Sequence, residues 1–258
     1  MSPSPAKSSA QPEPWFRSAF DDFYMSLYAH RNDEDARRAM DFLLRESIVR
    51  TGERGLDLCC GPGRHLIELL KAGLSVAGLD LSLPLLQRAG RRLREANLAP
   101  ELVRASMERL PFCPAQFHLV VNLFTSFGYF DRDEDNARVF EEVARTLQPG
   151  GRFLIDFLNA PHVRATLVAE SDEVRADGTR IATRRSIDGE RPRVIKRVQV
   201  ARGDHHRDIV ESVRLFERAE LEQMLSAAGL VVQHVWGDFN SSHWSEAAPR
   251  CIILSQKI

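Results

Sequence analysis

Cysteine is scarce in this chain, with four in 258 residues, at positions 59, 60, 113 and 251. No pair has C-x-x-C spacing, which argues against a disulfide framework and against a tetrahedral metal site, so no metal is expected. Such sparse thiols fit a reducing compartment, and the cytoplasm is the expected location. No apolar run approaches the roughly 18 residues that would suggest a membrane span. The N-terminus has no charged start followed by an apolar stretch, so no secretory signal is expected. Net charge is nearly absent, at −1, so no overall field draws the chain to nucleic acid or anionic lipid. Internal repeats are missing too. What remains is ordinary globular composition, 43% hydrophobic and 28% charged, long enough for one core plus an insertion.

Residues 1–14 are rich in Pro and Ser and read as a disordered tail. Residues 15–50 read as two helices broken near Arg31-Asn32-Asp33. Phe16, Phe20 and Phe23 recur at helical spacing, as do Met40, Leu43 and Leu44. Strands and helices then alternate. Strands are expected at 55–60, 75–81, 101–107, 117–124 and 152–159. Helices are expected at 63–73, at 82–98 with Ser82 as N-cap, and at 131–151, closed by Pro149-Gly150-Gly151. That rhythm predicts a parallel sheet with right-handed crossovers. From 160 to 215 the pattern turns to partial alternation with turns at Asp188-Gly189 and Gly203-Asp204, an antiparallel insertion. A helix at 218–230 and two strands, "VVQHVWGDF" and "RCIILSQK", close the chain and could pair antiparallel. The expected division is a helical lid at 15–50, a ligand-binding domain at 51–159 and 216–258, and a β cap at 160–215.

One stretch concentrates the chemistry: "GLDLCCGPGRH", from Gly55 to His65. A strand ends near Asp57, a loop runs from Cys59 to Gly63, and a helix begins. Glycines belong where backbone takes positive φ or approaches a ligand closely. The next strand ends in "GLD", which places Asp80 17 residues beyond Gly63. In a nucleotide-binding βαβ unit an acid at that point accepts ribose hydroxyls. A dinucleotide loop asks for a third glycine where this chain has Leu66, which argues against a nicotinamide enzyme.

With Cys59 in the first glycine position, "DLCCGPG" resembles the Asp/Glu-x-Gly-x-Gly-x-Gly motif of class I S-adenosylmethionine-dependent methyltransferases. "LPF" at 110–112 and "LQPGGRFLIDF" at 147–157 resemble later landmarks of that family, and the likeness spans roughly 36–158 and 216–258. "NLFTSFGYF" and the insertion resemble bacterial small-molecule methyltransferases, including sugar-amine N-methyltransferases. The resemblance implies a Rossmann-like α/β fold: a seven-stranded mixed sheet with helices on both faces and an antiparallel β insertion. It also implies S-adenosyl-L-methionine as cofactor and transfer of methyl to N or O of a small molecule. Asp57, Cys59, Cys60, Gly61 and Gly63 would surround the methionine part, and Asp80 would hold the ribose. Leu81 would pack on adenine, with Ser106 and Met107 flanking it, while Asn122, Leu123 and Phe124 would end a strand beside the sulfonium. Ser106 stands where many relatives carry Asp, a weaker acceptor for the adenine amine.

The acceptor side is less defined. Gly128 permits close approach, so Phe127 and Tyr129 are candidates for an acceptor wall facing a cationic or apolar substrate; core packing is the plainer reading. Phe20, Tyr24 and Tyr28 fit either a packed helix or a lid, in which Tyr24 or Tyr28 would contact the cofactor. Tyr129 and His162 are the candidate bases. The window 175–202 holds nine Arg or Lys against three Asp or Glu, a solvated sheet face or an attraction for RNA phosphates. An RNA methyltransferase and a non-catalytic binding protein therefore stand as alternatives.

Overall fold

The computed structural model describes residues 13–27 and 33–258, so Tyr28 and the expected tail up to residue 12 lie outside the described residues. A 3-10 turn at Trp15–Arg17 leads to α1 (Asp22–Leu27) and α2 (Asp33–Arg45). The alternating region follows as β1 (Arg54–Leu58), α3 (Arg64–Lys71), β2 (Ser75–Asp80), α4 (Leu83–Glu95), β3 (Leu102–Arg104), β4 (Phe117–Asn122), α5 (Asp133–Thr146) and β5 (Leu147–Leu158). The insertion comprises α6 (Ala160–Thr166), β6 (Glu170–Val174), β7 (Arg180–Asp188), β8 (Arg193–Arg202) and β9 (His205–Arg214). The chain closes with α7 (Arg218–Ala227), β10 (Leu230–Trp236) and β11 (Arg250–Lys257).

Seven strands form one sheet in the order β10-β11-β5-β4-β1-β2-β3. The pairings among β1 to β5 are parallel, and β11 runs antiparallel to both β5 and β10. Helices cover both faces, which is why β4 reads as a nearly continuous apolar run. Leu56, Val120 and Phe153 pack with Phe140 of α5 and Leu221 of α7 on one face. Leu119 and Val121 pack with Phe42 of α2, Leu66 of α3 and Ala89 of α4 on the other. Each of the Leu, Val and Phe side chains among these, fully buried, contributes roughly 1.5–3 kcal/mol over an exposed one.

The insertion is a separate four-stranded antiparallel sheet, β6-β7-β8-β9, with tight turns where Asp188-Gly189 and Gly203-Asp204 were expected. Tyr24 and Leu27 of α1 bury themselves against Ile181, Val198, Val200 and Ile209 of this sheet. The N-terminal segment and the insertion thus share one small apolar core.

Three local expectations need correction. The strand expected at 101–107 is only Leu102–Arg104, which leaves Ser106 and Met107 in the following loop. The helix expected to close at Pro149-Gly150-Gly151 stops at Thr146, because Leu147 already pairs with Phe117 and draws the next residues into β5. The insertion opens with a helix, α6, whose first turn carries Pro161; a proline there loses no helical hydrogen bond.

Candidate functional site

The carboxyl ends of β1, β2, β3 and β4 lie side by side and surround a cavity that is half open to solvent. Ligands of open α/β sheets bind at this end. The loop after β1 forms the floor. Gly61 and Gly63 hold φ of 54° and 80°, and a Cβ on Gly63 would come within 3.1 Å of Ala89 Cβ in α4. Glycine at 63 therefore lets the loop approach that helix. Cys59 also sits in the left-handed region at φ 65°, which costs a non-glycine residue on the order of 1–2 kcal/mol. Its position in the motif demands a glycine-like backbone, and the side chain is accommodated with Sγ 3.7 Å from Met107 Sδ. Burial, then the Asp80 and Asp57 carboxylates, push the Cys59 thiol well above its usual range; burial and the same carboxylates do so for Cys60. The pair offers neutral sulfur, which is a poor metal ligand or nucleophile.

Asp80 ties loop to sheet. One of its oxygens accepts the Gly61 amide at 2.8 Å and the other the Ser82 amide at 2.8 Å. The Leu81 amide also reaches this carboxylate, which has about four acceptor sites in all and lines the cavity. Burial raises its pKa, opposed by the amides of Ser82 and Gly61. Ser82 also caps α4 by accepting from Leu85, as expected from the sequence, and its hydroxyl donates to the Phe20 carbonyl at 2.5 Å. Asp57 lies beneath the loop, 1% exposed, and its Oδ2 has no partner among the described residues. Burial first, and Asp80 second, raise its pKa to about 7 against the pull of Arg64.

After β4 the backbone is strained twice, at Phe124 (φ 58°) and Thr125 (φ 60°). Asp156 of β5, wholly buried, holds the bend: its carboxylate accepts the Phe124 amide at 2.9 Å and its carbonyl accepts Thr125 at 3.0 Å. Arg250 of β11 pairs with the same carboxylate. The bend turns Tyr129 into the cavity, its hydroxyl donating to Thr125 O at 3.1 Å. Trp15 lies against Tyr129, with ring centroids 5.0 Å apart, and Phe16 and Phe20 stack on the same ring. Phe16, Phe20, Tyr24 and Met25 of the N-terminal segment complete the wall. That segment is latched to β9 by an Asp21–Arg207 pair at 2.5 Å and by Trp15 Nε1 donating to Ser212 O at 3.1 Å.

Of the residues singled out from the sequence, Tyr24, Cys59, Cys60, Gly61, Asp80, Leu81, Ser106, Met107, Leu123, Phe124 and Tyr129 line this cavity. Others stand elsewhere. Gly63 packs on α4. Asn122, 1% exposed, donates to Leu58 O and Ser126 O and braces two strand ends. Phe127 is not an acceptor wall: it is 0% exposed, and its ring stacks on Phe140 at 4.6 Å in the core. The two strained residues before it set which ring faces in, and alternation alone does not reveal that. His162 is not a base at this site, since it lies on α6, outside the cavity lining, with Nδ1 at 3.0 Å from Ala247 O.

The sequence reading missed Arg64 and His65, which also line the cavity. His65 is buried, its Nε2 has no partner among the described residues, and its ring centroid lies 4.9 Å from that of Phe124. Burial first, then Arg64 and Arg250, lower its pKa to about 3, so the imidazole is neutral. Its only sequence signal was a polar residue in the first turn of an amphipathic helix.

An orphaned carboxylate oxygen under a glycine loop, a second carboxylate at the next strand end, and a slot of Leu81, Leu85, Ala105 and Met107 fit a cationic ligand bearing a nucleoside. A family model described as a methyltransferase domain matches residues 56–151. The dTDP-3-amino-3,4,6-trideoxy-alpha-D-glucopyranose N,N-dimethyltransferase of Streptomyces venezuelae is 33% identical over 222 residues, 84% of this chain and 92% of its own length. The crystal structure of Streptomyces venezuelae DesVI matches with a TM-score of 0.69 at 27% identity, covering 92% of this chain and 98% of that one. An S-adenosylmethionine-dependent methyltransferase of Clostridium acetobutylicum shares the fold, with a TM-score of 0.77 at 18% identity, covering 91% and 96%. The chain belongs to the class I S-adenosylmethionine-dependent methyltransferases. It is an enzyme, and S-adenosylmethionine is its cofactor.

Proposed function

We propose that the chain methylates a small-molecule amine, an amino sugar carried on a nucleotide, at nitrogen. The supporting observation is the shape of the site: one cavity joins the glycine loop to an aromatic wall of Phe16, Phe20, Tyr24, Tyr129 and Phe130, in a chain 33% identical to an amino-sugar dimethyltransferase. A deoxygenated sugar is largely apolar on its ring face and suits such a wall.

S-adenosylmethionine supplies a methyl group already attached to a good leaving group. In this reading Asp57 faces its methionine part and Asp80 its ribose. Leu81 and Met107 sandwich the base beside Ser106, while Leu123 and Phe124 border the reacting end. Holding acceptor and methyl in line can supply as much as roughly 7–11 kcal/mol of the barrier. His162 is remote and His65, with its pKa lowered to about 3, is too weak a base to take the proton, so in this reading the amine enters as its free base. Tyr129 shapes and orients rather than deprotonates, its hydroxyl being committed to Thr125 O.

Residues 51–159 and 216–258 would form the cofactor domain, with 15–50 and 160–215 as its cap. The basic insertion gives little support to an RNA acceptor, because its cations are largely engaged. Arg175 pairs with Glu173, Arg184 with Glu170, Lys196 with Glu211 and Arg202 with Asp177, while Arg193 is spent on carbonyls. Among the described residues no helix is long and apolar enough to cross a membrane, and sparse cysteine supports the cytoplasm.

The test is incubation of the purified chain with S-adenosylmethionine and dTDP-3-amino-3,4,6-trideoxy-alpha-D-glucopyranose. Mass spectrometry should find singly and doubly methylated sugar nucleotide and matching S-adenosylhomocysteine. Unchanged sugar from a preparation that binds S-adenosylhomocysteine would end the amino-sugar reading and leave the cofactor intact.

A further inference from the structure

We propose that Arg193 is a positioning residue for methyl transfer: from the insertion it fixes the backbone of the loop that carries Tyr129. The proposal rests on the reading of Tyr129 as part of the acceptor wall. Three successive carbonyls of that loop converge on one guanidinium. Arg193 Nη1 donates to Phe130 O at 2.9 Å, and Nη2 reaches Tyr129 O at 3.2 Å and Gly128 O at 3.4 Å. The rest of the group is anchored on the neighbouring strand, with Nε donating to Ser212 Oγ at 2.7 Å and Nη2 to Ser212 O at 2.9 Å.

Only a planar fork with five donors can satisfy this set; an ammonium would reach part of it. The contact also explains Gly128. Its amide unit lies against β9, where Arg214 N donates to Gly128 O at 2.8 Å. At φ 81° a Cβ on Gly128 would come within 3.0 Å of Arg214 O. Loop and insertion meet backbone to backbone, and Arg193 closes the joint.

The joint extends to the lid. Ser212 O accepts from Trp15 Nε1 as well as from Arg193, and the Trp15 ring rests on Tyr129. One carbonyl of β9 therefore sets the lid and the Tyr129 loop together. Among the described residues, the hydrogen bonds of Arg193 run to the Tyr129 loop and to Ser212 and not to the glycine loop or Asp80, so its loss acts first on the acceptor side.

The test uses full-length protein labelled with 3-fluorotyrosine. The chain has three tyrosines, and Tyr129→Phe identifies the resonance of interest. In Arg193→Met that resonance should shift or broaden while the affinity for S-adenosylhomocysteine stays as in wild type. With the dTDP-amino sugar as acceptor, kcat should fall on the order of 10–100-fold with a smaller change in KM, as expected for misplaced reacting groups. Arg193→Lys should recover part of the loss. Ser212→Ala, which removes one acceptor from the fork and leaves the fold intact, should move resonance and kcat in the same direction to a lesser degree, and it decides the matter if Arg193→Met does not fold. An unchanged Tyr129 resonance and unchanged kcat in a folded variant would overturn the proposal. So would parallel losses of kcat, cofactor affinity and melting temperature. If wild type leaves the sugar untouched, the amino-sugar reading fails and the Tyr129 resonance alone decides the role of Arg193.

Discussion

The carboxylate of Asp156 accepts the Phe124 amide at 2.9 Å from within the sheet, holding a left-handed residue at the rim of the cavity. The same carboxylate answers Arg250, whose guanidinium lies 5.4 Å from the Phe124 ring. Asp156→Ala removes an acceptor from a strained amide and leaves Arg250 without its buried partner. The expected cost is about 3–5 kcal/mol, the range for breaking a buried pair. Urea unfolding measures it. A loss below about 1 kcal/mol, as for an exposed pair, would show that the bend is held by something else.

If Asp57 faces the cofactor as proposed, both stability and cofactor affinity should depend on pH through it. Its carboxyl is raised in the fold from 3.8 to about 7. A raised carboxyl favours the folded state least where the unfolded chain ionises and the fold does not. Its contribution is thus intact below about pH 4 and is lost as pH climbs towards about 7. A cationic ligand beside it prefers the ionised form. Affinity for S-adenosylmethionine should therefore rise from about pH 6 to about pH 8. Asp57→Asn should flatten both profiles. Calorimetric titration across that range is the measurement, and an equally steep affinity profile in the variant would exclude Asp57 as its source.

Asp80→Ala removes the proposed ribose acceptor and also the partner of two amides. S-adenosylhomocysteine binding should weaken by on the order of 1.5–3 kcal/mol, as for a hydrogen bond to a charged group. The melting temperature should fall as well, since Gly61 and Ser82 lose their acceptor. Affinity unchanged in a folded variant would remove Asp80 from the site.

Opening the latch should speed release. The Asp21–Arg207 pair is about one-third exposed on each side, and Arg207 also lies 4.5 Å from the Phe23 ring centroid. Pairs of this kind contribute roughly 0.2–1 kcal/mol. Arg207→Ala should thus raise the dissociation rate of S-adenosylhomocysteine about two- to fivefold, read by stopped-flow fluorescence. A rate equal to wild type would mean that the segment opens without breaking this contact.

The alternating elements, the glycine loop and Asp80 were readable because each follows from local periodicity or from fixed spacing within one βαβ unit. Ser82 as a cap was readable for the same reason. The choice between Phe127 and Tyr129 was not, because left-handed backbone at Phe124, Thr125 and Gly128 sets it. Asp156 and Arg193 look like one more acid in a strand and one more base in a basic window. Their roles come from partners 32 and 63 or more residues away. His162 seemed a base by residue type alone, and α6 carries it off the cavity.

The latch between Trp15 and Ser212 spans 197 residues of sequence. Ribosomes add roughly 5–20 residues per second, so the first of these is made about 10–40 s before the second. The glycine loop and the strands bearing Asp80 and Asn122 are made within that interval and then wait for β9, the part of their roof that comes last. β5, made early, likewise waits for β11 at the far end of the chain to supply its neighbour. A nascent chain therefore carries the aromatic wall of Phe16, Phe20 and Tyr129 without its β9 backing until the later strands emerge. The exposure of apolar surface thus runs late into synthesis, and a chain truncated after β9 would leave β5 without its neighbour β11.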